Sequence, residues 1–419
     1  MGYSVRLAGR LAQPVRPHLN CTWYTTYPDL GLAFTSMTGM AAPLPDALAP
    51  KGLEGVVANE SSICYVFGGE GRLIYRGYDI ADLAEHSTFE ETAYLLLKGD
   101  LPTKDALKAF TAEIKAAQKL DKVVLRIIKD APKDAKPMNV LRTAVSAAVF
   151  TDPDRADNSP AAEYRKAVRL IAQLPTIVGT FHRLRSEQKP LSPRRGLSLA
   201  ANTLYLITGE TPEQDVERAF DVALILHADH ELNASTFAAR VIAATLADMH
   251  GAVTGAIAAL AGPLHGGANA EVMKMLLEIK SPDRAAAWIR DALTQKKKIM
   301  GFGHRVYRTA DPRAAILRPL AEQLGRKANQ PQWFAIQQVI EDMMRRDKGL
   351  YCNVDFYSAS TYYAMGIPLD LFTPIFAVSR ISGWCAHVLE QHADNRLIRP
   401  RAEYVGPMNR TWTPPRKRG

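Results

Sequence analysis

Between Ile63 and Tyr75, apolar and polar residues alternate on both sides of Gly68-Gly69-Glu70-Gly71. A two-residue period interrupted by a glycine turn predicts a β-hairpin. Beyond it the period turns helical. Ser87 and Glu90 have the spacing of a capping box ahead of Tyr94, Leu95 and Leu97, and Gly99 stands where a helix-ending glycine belongs. Thr211-Pro212-Glu213 opens another helix, with Val216, Phe220, Leu224 and His227 along one side. Similar amphipathic runs over 104–129, 161–186, 235–261, 270–280, 312–325 and 331–346 predict a mainly α fold with one small N-terminal hairpin. Segments 130–138 and 151–160, rich in Pro, Asp and Lys, are surface connections. The longest uncharged stretch, Met249 to Ala270, is punctuated by Gly251, Gly255, Gly262 and Pro263, so it reads as a buried helix running into a glycine-rich loop, too short to span a bilayer. The first forty residues do not continue the helical period. Poor in acids and holding Arg6, Arg10 and Arg16, they form an N-terminal extension, a transit-like leader or sequence upstream of a start at Met37 or Met40.

Composition narrows the class. The chain has 419 residues, enough for two or three domains, with 47% hydrophobic and 23% charged residues, which suits a globular protein with a large core. Cys21, Cys64, Cys352 and Cys385 lie far apart without a CxxC pair, against a zinc ribbon or disulfide framework and for a reduced compartment. The net charge of +9 sits at the ends: three arginines precede the first acid, Asp29, and seven bases stand against Glu403 alone from Arg396 onward, so residues 29–395 are neutral. A neutral body with basic tails argues against a nucleic-acid-binding domain, and the Arg416-Lys417-Arg418 run is a solvated terminus. No GxxxxGK[ST] and no strand-bounded GxGxxG occurs, which removes the usual support for nucleotide hydrolysis or dinucleotide redox chemistry.

The candidate chemistry lies in three turn-rich segments. His265 sits in GPLHGGAN, where three glycines let backbone approach a ligand closely, and His304 sits in GFGHRVY. Asp355 lies in YCNVDFYS, an aromatic setting able to desolvate a carboxylate and raise its pKa. Each alone reads equally as a structural residue or a cap; together they outline a proton-transfer site. The run His227-Ala228-Asp229-His230-Glu231 invites a metal, but it lacks the HExxH spacing and a third ligand, and a polar helix C-terminus at a cleft fits it better. Arg305, Arg308, Arg313, Arg380 and Arg399 follow these motifs. Guanidinium groups grip carboxylates with two parallel hydrogen bonds, so their convergence implies a di- or tri-acid substrate.

These residues resemble the citrate synthases and their sister 2-methylcitrate synthases. The resemblance runs from about Gly52 to Gly406 and rests on GFGHRVYRTADPR over 301–313, with HADHELNAST, PLHGGAN, NVDFYS and RLIRPRAEYVG in the family's order. It looks like the shorter, dimeric type. The resemblance implies that Asp355 removes a proton from acetyl-CoA, that His265 steadies the enolate oxygen, and that His304 polarises and protonates the oxaloacetate ketone. It further implies that His230, Arg313, Arg380 and Arg399 hold the oxaloacetate carboxylates, Arg399 reaching across from the partner of a homodimer with a shared site. Arg308 would touch a coenzyme A phosphate, and Ile299, Met300, Gly301, Phe302 and Gly303 would line the adenine. No tightly bound cofactor, metal, nucleic acid or membrane is expected; acyl-CoA and oxaloacetate are substrates. The resemblance divides the chain into a large helical domain, 41–267 with 366–419, and a small one, 268–365, with the site between them. The location it implies is cytoplasmic, or the mitochondrial matrix if residues 1–40 are a leader. Ala359 stands where many citrate synthases have Gly and methylcitrate synthases often have Ala, whereas Tyr357 and Arg399-Pro400-Arg401 look like the citrate type. A pocket separates acyl groups differing by one methylene by only about 1–3 kcal/mol, so propionyl-CoA is the alternative substrate. Two readings of other classes are a catalytically idle homologue serving binding or assembly, and a metal-dependent hydrolase built on His227, His230 and Glu231. The presence of Asp355, His265 and His304 speaks against the first.

Overall fold

The computed structural model describes residues 50–418, so the expectations for residues 1–40, the boundary at 41 and Cys21 lie outside the described residues. The chain falls into two compact units that part between Val56 and Val57. Of the first, residues 50–56 are described, with one 3-10 turn at Lys51–Leu53. The second unit carries every candidate residue.

It opens with the expected hairpin. Strands β1 (Cys64–Phe67) and β2 (Arg72–Tyr75) pair antiparallel with Cys64 opposite Tyr75 and Phe67 opposite Arg72. Cys64, Val66, Leu73 and Tyr75 bury one face, which is what the alternation requires. The hairpin is one strand short of the observed sheet, because the two-residue β3 (Tyr78–Asp79) pairs with β2 on the far side. At the tip the Arg308 N–H donates to the Gly68 carbonyl at 2.9 Å, and any side chain at Gly68 would run into the Val306 main chain. The hairpin thus props the segment that follows His304.

Sixteen α-helices follow among the described residues, and the fold is mainly α as expected. The first ten are α1 (Ile80–His86), α2 (Phe89–Lys98), α3 (Lys104–Ala117), α4 (Lys122–Asp130), α5 (Pro137–Ala148), α6 (Pro160–Arg185), α7 (Leu199–Thr208), α8 (Gln214–His227), α9 (Ala234–Ala243) and α10 (Met249–Leu260). The remaining six are α11 (Ala268–Ile279), α12 (Pro282–Thr294), α13 (Pro312–Lys327), α14 (Gln332–Lys348), α15 (Val354–Ala364) and α16 (Phe372–Ala393). No described helix is long and apolar enough to cross a membrane.

Three local expectations need correction. The runs 104–129 and 235–261 are each two helices, the second broken where Leu246 adopts a φ of 63° and Asp248 caps α10 through the Gly251 N–H. Ser87 and Glu90 are not a capping box: Thr88 caps α2 through the Glu91 N–H, while buried Glu90 reaches across to accept from the Leu199 N–H at the start of α7. Helix α8 begins at Gln214, after Thr211-Pro212-Glu213 rather than within it. Gly99 does end α2, with a φ of 96°.

Helix α16 is the spine. It packs on α2, α6, α8, α9, α10 and α11, and every residue from Pro374 to Val388 is buried, the pattern of a helix enclosed on all sides. The helices α11 to α15 pack mainly among themselves: α15 on α11 and α13, α14 on α12.

Candidate active site

Each candidate imidazole has one ring nitrogen fixed by main-chain N–H donors, two for His304 and one for His265. His304 Nδ1 accepts from the Val306 and Tyr307 N–H groups, both at 3.0 Å. A nitrogen that accepts carries no proton, so the neutral ring bears its hydrogen on Nε2. His265 Nε2 lies 2.8 Å from the Ser235 hydroxyl and 3.3 Å from the Ser235 N–H, which donates to it, so its hydrogen sits on Nδ1. Trp384 in turn donates its indole N–H to that hydroxyl at 3.1 Å. Burial, reinforced by Arg380 for His265 and Arg313 for His304, pushes both imidazoles down to about 4. Both are neutral donors at pH 7, one from each kind of ring nitrogen.

Asp355 lies in the first turn of α15, and two short chain segments tie it to His304. Phe302 and Cys352 form an isolated antiparallel bridge, Gly303 N–H donates to the Tyr351 carbonyl at 3.2 Å, and Asn353 N–H donates to the Gly301 carbonyl at 2.9 Å. The ribbon carries His304 on one arm and Asp355 on the other. A helix N-terminus favours a carboxylate, yet desolvation wins: burial, with the Asp311 carboxylate adding to it against the pull of Arg313 and Arg380, raises Asp355 to about 6. The residue remains partly open to solvent. It is a carboxylate at pH 7, but a more basic one than usual.

Two buried guanidinium groups face this region. Arg313, 3% exposed, forms a two-pronged pair with Asp311, Nε to Oδ1 at 3.0 Å and Nη2 to Oδ2 at 2.9 Å. Asp311 also caps α13 through the Arg313 N–H and accepts from the Val354 N–H at 3.0 Å, one residue before Asp355. Arg380, 1% exposed, spends Nε on the His227 carbonyl at 2.7 Å and packs over Phe376, 4.7 Å from the ring centre. Its Nη groups hold no hydrogen-bond partner among the described residues. His230 presses edge-on against His304, ring centres 5.1 Å apart, with its Nε2 buried and without a partner among the described residues. The Tyr307 ring completes that corner, 4.6 Å from His304 and 5.7 Å from His230. Phe376 joins the other side, 6.5 Å from His265.

The remaining candidates separate from this cluster. Ile299 and Phe302 bury their side chains, 4% and 7% exposed, with Met300 half-buried and Gly301 and Gly303 at φ of 84° and 80°; this segment offers backbone ahead of His304. Arg308 is exposed beside the hairpin tip. Arg399 is exposed in the extended segment after α16 and joins none of the buried groups of its own chain. His227 donates Nδ1–H to the Ala223 carbonyl at 2.7 Å at the end of α8, a helix-terminus role, and no described group of three or more His, Cys, Asp or Glu is arranged to hold a metal.

A family model described as "Citrate synthase, C-terminal domain" matches residues 52–401. The chain belongs to the citrate synthase family. It is 48% identical over 370 residues to the citrate synthase of Haloferax volcanii, covering 87% of this chain and 97% of that one. It is 44% identical over 369 residues to the 2-methylcitrate synthase of Mycobacterium tuberculosis, covering 88% and 93%. Among solved structures, citrate synthase from Thermoplasma acidophilum, in a ternary complex with carboxymethyl coenzyme A and oxaloacetate, superposes with a TM-score of 0.83 at 34% identity, covering 88% of this chain and 99% of that one. The residues around the site that the sequence reading did not single out are the supports: Asp311, Ser235, Trp384 and Phe376. Only Asp311 left a signal, since an Asp before Pro312 has the form of an N-cap followed by an N1 proline. Tyr357 also changes meaning. Its hydroxyl bonds Glu341 on α14 and accepts from Arg318 at 3.2 Å, so it ties α15 to α13 and α14.

Proposed function

We propose that this enzyme condenses acetyl-CoA with oxaloacetate and water to give citrate and coenzyme A. Asp355 takes a proton from the acetyl methyl group, and His265 donates its Nδ1–H to the thioester oxygen as negative charge gathers there, a preorganised hydrogen bond in a desolvated site. The enolate carbon attacks the oxaloacetate ketone while His304 delivers its Nε2 proton to the ketone oxygen. Water then cleaves the citryl thioester and releases the thiol. Arg313 through Nη1, Arg380 through its two Nη groups, and the orphaned His230 Nε2 bind the carboxylates; Arg308 and the 299–303 backbone receive the coenzyme. Arg399 of a second copy completes the carboxylate site, which makes the working form a homodimer. The large and small domains, 41–267 with 366–419 and 268–365, close over the substrates and exclude water. The site is cytoplasmic in this reading, and no tightly bound cofactor takes part.

The observation that supports this reading most is the opposed setting of the two imidazoles. Each has its acceptor nitrogen held by main-chain N–H donation and its other nitrogen without a partner among the described residues, and the 301–303/351–353 ribbon ties His304 to a carboxylate raised to about 6. Ala359, fully buried one helical turn beyond Asp355, favours a second reading in which propionyl-CoA gives 2-methylcitrate. A thiol-release assay with oxaloacetate and either acyl-CoA decides: a kcat/KM at least tenfold higher for acetyl-CoA is expected, the reverse order selects 2-methylcitrate, and release from neither sinks both.

A further inference from the structure

The loop that presents His230 is bound to α16 by an array of contacts that the reaction itself does not use. Along one face of α16, Arg380 Nε donates to the His227 carbonyl, Gly383 N–H donates to the Ala228 carbonyl at 3.1 Å, Trp384 reaches Ser235, and His387 meets Asp229. These positions follow at spacings of three and four, one stripe of the helix. Gly383 is what lets the loop lie so close, since a side chain there would collide with Asp229 and the Ala228 carbonyl.

His387 is fully buried and both its nitrogens are engaged. Arg240, itself 3% exposed, donates Nη1–H to His387 Nδ1 at 2.9 Å. An arginine only donates, so the histidine carries its hydrogen on Nε2, which points to Asp229 Oδ2 at 3.3 Å. Arg240 is held in turn by Glu390 at 2.6 Å and Gln391 at 3.1 Å, and Glu390 accepts from the Ser62 N–H and hydroxyl at 2.8 and 2.9 Å. Asp229 is buried too. Its Oδ2 also accepts from the Glu231 N–H at 3.2 Å, and the Tyr75 hydroxyl brackets its main chain, donating to its carbonyl at 2.8 Å and accepting from its N–H at 3.2 Å. Asp229 is therefore fixed by main chain and side chain on one side and is the residue immediately before His230 on the other.

We infer that Arg240, His387 and Asp229 form a positioning relay that holds the backbone at residues 229–231 so that His230 presents its free Nε2 to the four-carbon diacid. The relay touches no substrate; it acts through His230. This role rests on the function proposed above. A misplacement of about 1 Å in a binding group can cost about 100-fold, so the effect on a relay this direct is large and selective.

The test measures steady-state constants and melting temperature for the wild type, His387→Ala, His387→Gln, Asp229→Asn and the double variant His387→Ala/Asp229→Asn. His387→Ala is expected to raise the oxaloacetate KM about 10- to 100-fold with the acetyl-CoA KM within about threefold of wild type. Glutamine offers an acceptor to Arg240 and a donor to Asp229 on one amide, so His387→Gln recovers most of the loss. If the two residues act through each other, the double variant is no worse than the worse single. An oxaloacetate KM unchanged in His387→Ala, equal rises in both KM values, or multiplying effects in the double variant would overturn the relay. Where His387→Ala does not fold, Asp229→Asn carries the test alone, and an unchanged oxaloacetate KM there has the same meaning. A wild type that releases no thiol overturns the proposed function; a normal wild type with unresponsive variants overturns only the relay.

Discussion

Arg380 and Arg399 carry the same chemical group toward the same proposed task from opposite surroundings. Arg380 lies in the wholly buried Pro374–Val388 stretch of α16, 1% exposed, fixed by the His227 carbonyl and stacked on Phe376. Arg399 lies on an exposed extended segment six residues beyond the end of α16 at Ala393. Burial holds the Arg380 guanidinium below its usual range, so it gains most from an anionic ligand that restores a partner. Under the proposed mechanism the contrast separates what one chain assembles alone, a buried and fixed guanidinium, from what a second copy would bring, an exposed one.

The largest expected effect falls on what one chain assembles alone. Asp355→Asn removes the proposed base and should lower kcat by about 10³- to 10⁴-fold, toward the upper range for general-base catalysis, with oxaloacetate affinity nearly unchanged. Near-normal turnover in that variant would remove Asp355 from the mechanism. The intermediate effect sits on what the second copy would bring: Arg399→Ala should raise the oxaloacetate KM by about 10- to 100-fold, the scale of a lost charged hydrogen-bond partner of about 1.5–3 kcal/mol. Mixing that chain with the Asp355→Asn chain should restore activity, because one site of each hybrid dimer then has both residues. Verified hybrids without recovery would place Arg399 outside the neighbouring site.

The smallest effect is a pH dependence. A base raised to about 6 loses its reactive form as pH falls through that value, so kcat/KM should drop tenfold per unit below it. The two imidazoles, lowered to about 4, stay neutral over the same window and add nothing until the pH is near their own values. One acid limb near pH 6 is therefore expected, measured with saturating acetyl-CoA excluded so that the free enzyme is read. A limb near 4 instead would assign control to an imidazole.

The proposed catalytic residues stand out in the chain because their neighbours are unusual: glycines around His265 and His304, aromatics around Asp355. Their protonation does not. The donors that fix the His304 tautomer are the main-chain N–H groups of Val306 and Tyr307, and a peptide N–H has the same sequence signature everywhere. Helix caps failed for a related reason. Ser87, Thr88 and Glu90 offer two overlapping N-terminal signals, and the choice went to Thr88 because Glu90 found a partner over one hundred residues away at Leu199. The supports of the site share that property. Ser235 beneath His265, Trp384 beneath Ser235 and His387 beside Asp229 come from segments about 30 to 160 residues apart, as the separations of 30, 149 and 158 positions show, so no local window contains them.

The order in which the chain leaves the ribosome gives α16 one more consequence. Segment 227–235 emerges long before the helix on which it rests, and the His227 and Ala228 carbonyls and the Asp229 carboxylate gain their α16 partners only when Phe372–Ala393 follows. At about 5–20 residues per second that interval is roughly ten to thirty seconds. Until then Arg380, Gly383, Trp384 and His387, which bond this segment, are absent from the nascent chain. Synthesis of the last long helix is in this sense the commissioning step of the enzyme.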